Sequence, residues 1–371
     1  MEIYFDNSAT TRPYREVCDC MAETAYEIYG NPSSLHRKGM EAENVIKAAR
    51  KIIAEKIGCR TDEIYFTSGG TENANTAIFG CLSASRKRHI ITTAAEHPCV
   101  LEPFRKLEKD GYEVTYLPLD KNGFPDADAL EKSVCEDTAL VCMMHVNNEV
   151  GAVTDIANMG KIIKRKNPEA LFFADCVQSF CKIPVTAAWC DMISMSSHKI
   201  HGPKGVGALY IKKGTRIHPR VFGGGQEKNI RPGTENVPAI AGFGKAAEMT
   251  CGFKDSGVKH RLAERIISEI PDTVINNTDF ENSADYILNV SFPGARSEVI
   301  LHFLESKEIY VSSGSACSSN KPGKSHVLTA MGLDNRIVDS SIRFSFCDSN
   351  TTDEADAVVD ALKEVLPNIR R

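Results

Sequence analysis

Several features that would decide the class of this protein at once are missing from its sequence. The opening residues, MEIYFDNSATTRPY, hold no basic segment followed by an apolar stretch, so no secretory signal is visible. Nowhere do about 18 consecutive apolar residues occur, which argues against a transmembrane helix. Positive charge is not in excess: 44 Lys+Arg stand against 49 Asp+Glu, a formal net charge of −5. Interspersed, slightly acidic charge argues against a nucleic-acid footprint and against a binder of anionic membranes. Neither GxGxxG nor the Walker lysine loop is present, so dinucleotide and P-loop readings lose support. Internal repeats and low-complexity tracts are absent too. What is left, 371 residues with 42% apolar and 25% charged, is an ordinary globular composition long enough for about two domains. The expectation is a cytoplasmic enzyme.

Paired cysteine spacing is also lacking. Thirteen cysteines are scattered along the chain without one CxxC pair, so zinc-ribbon and thioredoxin-like readings fail and no metal site is expected. Without a secretory signal the compartment is expected to be reducing, most of these cysteines are expected to be free thiols, and for each the default is a buried, inert small hydrophobe.

From about residue 40 the pattern alternates between helix and strand. Val45, Ala49, Ile52, Ile53 and Ile57 make a helical stripe that Gly58 stops. Strands are expected at 63–67, 89–93, 114–117, 139–145, 170–174, 192–195 and 206–211, with helices near 98–111, 126–134 and 155–166 between several of them. That alternation predicts a mostly parallel sheet covered by helices. The last third differs: helical 257–269 and 296–307 alternate with strands at 287–292 and 342–346 that look antiparallel, and a helix near 352–366 closes the chain. The division is a large α/β domain over 13–250 and a smaller α+β domain made of 1–12 and 251–371.

In an open parallel sheet, ligands bind beyond the carboxyl ends of the strands. Five such ends carry polar groups: Ser68-Gly69-Gly70-Thr71, Glu96-His97, Asn147-Asn148, Asp175 with Gln178, and Ser196-Ser197-His198-Lys199. The Gly69-Gly70-Thr71 turn opens a helix, where unpaired N–H groups and the helix dipole favour phosphate; an ordinary turn is the alternative. Lys199, in a glycine-rich segment past a strand, is a candidate amine for a Schiff base with an aldehyde. A solvated loop lysine is the alternative, and Lys204 competes for the role. Asp175 follows Leu-Phe-Phe-Ala and so is expected to be partly buried, where a pyridinium N–H would pair with it; capping the residues after it is the other reading. Lysine, carboxylate and phosphate cradle together describe pyridoxal 5'-phosphate, with His97 stacked on the ring and Asn148 and Gln178 reaching its phenolic oxygen. The segment Arg231–Thr234 offers a second phosphate contact. Cys317 sits among small polar residues, SSGSACSSN, unlike a buried structural cysteine. In Ile342–Phe346, alternation sets Arg343 opposite three apolar groups, suited to a substrate carboxylate or to a surface salt bridge.

The segments FDNSATT (5–11), GNPSSLH (30–36), FTSGGTEN (66–73), EHPCV (96–100), HVNNEVG (145–151), ADCVQS (174–179), SSHKIHGPKGVGALY (196–210), RPGTENV (231–237), SSGSACSSN (312–320) and SSIRFSF (340–346) resemble the cysteine desulfurases. These belong to the class V aminotransferase group, and the resemblance is to the nitrogen-fixation and iron–sulfur housekeeping branch with the long cysteine segment. It implies the aspartate-aminotransferase-like fold (fold type I), pyridoxal 5'-phosphate as cofactor and L-cysteine as substrate. It implies that Lys199 carries the cofactor and that Cys317 accepts sulfur as a persulfide. Gly70, Thr71, Ser196 and His198 would belong to the phosphate site, Asp175 would pair with the ring nitrogen, His97 would stack, and Asn148 and Gln178 would steady the ring. Asn31 and Arg343 would hold the substrate carboxylate. A homodimer is implied, in which Thr234 reaches the neighbouring subunit's phosphate, together with a sulfur-acceptor protein such as an iron–sulfur scaffold. Rival readings are a selenocysteine lyase or a small-substrate aminotransferase on the same cofactor, and a non-catalytic thiol-rich scaffold.

Overall fold

A computed structural model of the protein describes residues 2–313 and 324–370. Cys317 therefore lies outside the described residues. Seven strands form the main sheet, in the order Ile64–Thr67, Gly207–Ile211, Met192–Ser196, Leu171–Asp175, Thr138–Met144, His89–Thr93 and Glu113–Leu117. Gly207–Ile211 runs antiparallel to both neighbours, and every other adjoining pair is parallel.

The sheet is covered on both faces, so its central strands read as apolar runs rather than alternations. All seven residues of Thr138–Met144 are buried. Successive side chains still point to opposite faces. Phe172 packs in one cluster with Ile46, Ile53 and Phe243, whereas Phe173 packs in another with Ala77, Ile78 and Phe104. Helix Arg37–Ile57 ends at Gly58, whose left-handed φ of 66° needs no Cβ.

The helix at Val237–Met249 has no counterpart in the sequence reading. It is apolar almost all round because it is buried between other helices, and burial erases the amphipathic period. Its glycines are where neighbours come close: a Cβ on Gly242 would meet Met21 Cγ at 2.7 Å, and one on Gly244 would meet Ala49 Cβ at 2.8 Å.

A second core lies in the C-terminal third. Strands Val274–Ile275, Ile287–Ser291 and Ser341–Ser345 form an antiparallel sheet. Ile3 and Phe5 join its hydrophobic cluster with Leu262, Val290, Phe344 and Leu362. From there the N-terminal segment leads back across the main sheet: the Ser8 N–H donates to Ser345 Oγ at 2.8 Å, and the Thr11 N–H donates to the His198 carbonyl at 2.9 Å.

Candidate active site

The carboxyl ends of the parallel strands enclose a cavity of about 310 Å³. Gly70, Thr71, His97, Asn148 and Asp175 line it, as do Gln178, Ser196, His198 and Lys199. Segments far apart in sequence converge because each follows a strand of the same sheet. Adjacent polar residues are divided by the turns. Asn148 faces the cavity, whereas Asn147 accepts the Glu149 and Val150 N–H groups at 2.9 and 3.0 Å and shapes the turn.

Asp175, which lines the cavity, is the last residue of its strand and buried. Its Oδ1 accepts the Val177 N–H at 3.0 Å, so the capping role is real, while Oδ2 has the Cys99 thiol 3.9 Å away. Burial pushes its pKa up to about 6, against the Val177 hydrogen bond and the Lys199 charge, which lower it. Such a carboxylate suits a cationic N–H donor presented by a ligand. Beside it, Gln178 donates to the Ser8 carbonyl at 2.8 Å, and its buried Oε1 has no hydrogen-bond partner among the described residues.

The start of helix Gly70–Ser83 lines the same cavity. Gly69, its N-cap, has φ 146° and ψ −171°, a region open only to glycine, and no side chain caps the helix. A Cβ on Gly70 would meet Val177 Cγ2 at 2.9 Å, so the backbone runs close against the cavity wall. The turn thus offers helix N–H groups to an anion. Next to it a cleft of about 360 Å³ is lined by Thr71, Glu72, Ser196, His198 and Lys204. Arg231 reaches this helix through Glu72, Nε to Oε1 at 3.2 Å.

Lys199 lines the cavity as well. Its Nζ donates to the Ser8 and Ala9 carbonyls at 2.5 and 2.8 Å. His97 caps helix Pro98–Lys109, its Nδ1 accepting the Cys99 N–H at 3.1 Å, which assigns the ring proton to Nε2. Burial, then the charges of Lys199 and His326, pull the His97 pKa down to about 4. Burial with the charges of Lys199, Lys204 and Lys182 pulls His198 to about 3. Both rings are neutral at physiological pH.

Three expected residues do not line the cavity. Asn31 and Thr234 are exposed. Arg343 is buried behind Asn148, donating from Nη1 to the Asn148 carbonyl at 3.0 Å and from Nη2 to Asp6 at 2.8 Å. Its salt bridge to Asp6 is thus part-buried, not on the surface as the alternative reading had it; its Nε has no partner among the described residues. Ser8 and Ala9 line the cavity without having been singled out as site residues. Their signal was the small polar run in FDNSATT, but no local pattern says that it crosses the mouth of a distant sheet.

Among the described residues no cluster of three or more His, Cys, Asp or Glu is arranged to hold a metal. The twelve described cysteines are all free thiols. The buried default holds for Cys81, Cys99, Cys142, Cys176 and Cys190, while Cys18, Cys135 and Cys251 are exposed.

Residues 3–358 match the family described as aminotransferase class-V. A cysteine desulfurase of Nostoc sp. is 42% identical, over 99% of this chain and 94% of that protein. The cysteine desulfurase IscS of Dictyoglomus turgidum is also 42% identical, over 100% of this chain and 95% of that protein. Among solved structures, a NifS-like protein superimposes with a TM-score of 0.90 at 40% identity, covering 99% of this chain and 100% of its own. SspA in complex with cysteine gives 0.84 at 34% identity, covering 94% and 99%.

Proposed function

Because this chain belongs to the cysteine desulfurases of the class V aminotransferase family, we propose the following division of labour among its residues. The family depends on pyridoxal 5'-phosphate, and the cavity fits that group. Its lining brings together a buried carboxylate, an uncapped helix start forced by Gly69 and an amine. When bound, the cofactor supplies an aldehyde for the amine and an electron sink that acidifies the substrate Cα–H. Lys199 holds it, then takes the Cα proton of L-cysteine and returns it. Asp175 faces the ring nitrogen, and Gln178 and Asn148 steady the ring. Thr71, Ser196 and His198, with the Gly70 backbone, receive the phosphate. His97 stacks on the ring and, with its proton on Nε2, positions it without adding charge. Arg343, with Asn31, receives the substrate carboxylate; the unpartnered Nε supports this.

Cys317 supplies the nucleophile. Its thiolate attacks the sulfur of L-cysteine, the C–S bond breaks, and sulfur stays on Cys317 as a persulfide. The carbon skeleton takes up a proton and leaves as L-alanine. An ordinary thiol, with a pKa of about 8.5, is only a few per cent thiolate at neutral pH, so a base must assist. The persulfide then passes to an acceptor protein that feeds iron–sulfur cluster or thio-cofactor synthesis. The enzyme works as a homodimer in the cytoplasm, with Thr234 of each subunit at the other's phosphate; the free thiols suit a reducing compartment.

The observation that carries this reading is the convergence of Lys199, Asp175 and His97 on one cavity with the Gly69–Thr71 turn. Its test is alanine and sulfide release from L-cysteine with a reductant, for the wild type and Cys317→Ala. Equal alanine and sulfide, both lost in the variant, is the expected result. Undiminished sulfide from the variant would remove Cys317 as acceptor and move a lyase reading to the front.

A further inference from the structure

The chemistry above leaves a group of thiols unused. Beyond the Asp175–Gln178 turn lies another cavity, of about 400 Å³, whose lining includes Lys56, Cys181, Lys182, Thr250 and Cys251. Two stretches of chain run side by side there. The Gly252 N–H donates to the Cys181 carbonyl at 2.9 Å, and the Phe253 N–H donates to the Lys182 carbonyl at 2.8 Å. Cys251 directly precedes Gly252, so one backbone hydrogen bond and its flanking covalent bonds separate the two cysteines. That places their Cα atoms within reach of the roughly 4.4–6.8 Å span a disulfide needs.

A cation accompanies them. Lys56 Nζ donates to the Thr250 carbonyl at 3.0 Å and lies 3.7 Å from Cys251 Sγ. The thiolate is the attacking form of a cysteine, so access to the reagent decides which thiol reacts first. Cys251 is exposed, whereas Cys181 is partly buried in the left-handed backbone region, at φ 59°. Burial holds the Cys181 thiol up at about 12, and it feels both the Lys56 charge and the Cys251 sulfur. The two thiols therefore have distinct parts: an accessible attacker and a sheltered resolver.

We propose that Cys181 and Cys251 form a reversible intramolecular disulfide, made by exchange with a low-molecular-weight disulfide. In the first step the Cys251 thiolate attacks one sulfur of the reagent, whose S–S bond breaks and releases one thiolate. Cys181 then gives its proton to solvent, and its sulfur attacks Cys251 Sγ, displacing the second thiolate. Two protein thiols become one cystine, and the reagent disulfide becomes two thiols, so two electrons and two protons balance. The bond ties the turn that follows Asp175 and Gln178 to the chain just past helix Val237–Met249.

Oxidised glutathione is the probe, applied to the cofactor-loaded protein, followed by proteolysis and mass spectrometry without reductant. The expected product is a peptide pair joined through Cys181 and Cys251, lost on adding dithiothreitol and absent from Cys251→Ser. Cys181→Ser is expected to trap a glutathione adduct on Cys251, and Cys135→Ser, altered at another exposed thiol, to leave the link intact. A wild-type protein that keeps glutathione on Cys251 with Cys181 reduced overturns the proposal. So does one in which neither cysteine reacts, or in which Cys251 joins a different partner.

Discussion

Glu96 precedes His97 at the end of the same strand, yet the two carry different duties. Glu96 is 0% exposed; its Oε1 accepts the Thr93 hydroxyl at 2.8 Å and the Met144 N–H at 3.0 Å, and Oε2 has no partner among the described residues. It joins two strand ends and so fixes the turn that sets His97. Burial raises its pKa to about 8, so the folded protein holds this proton where an unfolded glutamate, near 4.3, has lost it. Between those values the folded state binds more protons than the unfolded one, and this group's contribution to stability falls as pH rises. Glu96→Gln cannot ionise, so its melting temperature is expected to match the wild type near pH 4, to gain on it as pH rises to about 8, and to hold that gain above. A gap that does not change with pH would show that Glu96 ionises normally. Glu96→Ala, which strands the Thr93 and Met144 donors, is expected to cost about 1–3 kcal/mol near pH 4, a cost that shrinks as pH rises because alanine cannot ionise either. The sequence singled out His97 and gave Glu96 no duty; only the packing shows Glu96 turned inward to fix the turn.

Among the elements, the turn before helix Gly70–Ser83 carries the most constraint. Gly69 occupies glycine-only backbone space, and a Cβ on Gly207 would meet Gly69 Cα at 2.7 Å, so strand and turn touch through two glycines. Gly69→Ala is expected to cost about 1–3 kcal/mol in stability and to raise the cofactor dissociation constant at least tenfold, read by equilibrium dialysis. Gly111→Ala is the control: φ is 87° with nothing within 4 Å of the added Cβ, so it brings backbone strain alone. If both variants kept wild-type cofactor affinity, the turn would not be the anion cradle. The strand–turn–helix order here was legible from the strand pattern followed by Ser-Gly-Gly-Thr. Helix Val237–Met249 was not, because an element buried on all sides has no polar face to set a period.

The whole molecule leaves large apolar side chains in water. Leu35 is 98% exposed, Phe222 84% and Tyr26 79%, with Tyr29, Met40 and Val221 in the same two chain segments. Exposed apolar surface of this kind marks interaction sites, and it fits the proposed homodimer. Light scattering is expected to give twice the 40.7 kDa of the chain. The double variant Leu35→Ser, Phe222→Ser is expected to shift mass toward the monomer and to loosen the cofactor, since Thr234 would no longer reach its partner. A wild-type monomer that keeps cofactor and activity would end that reading.

The sequence alone determined the alternation of strands and helices, the family, and which residue types gather at the strand ends. Local periodicity and the steric rules for glycine act within a few residues, so they survive in a linear string. Tertiary structure decided the rest. It laid Ser8 and Ala9 over Lys199, buried Arg343 against Asp6 and Asn148, and put Cys181 beside Cys251. Each is a meeting of segments far apart in the chain, set by how two cores pack and by which polar groups must find partners once water is excluded.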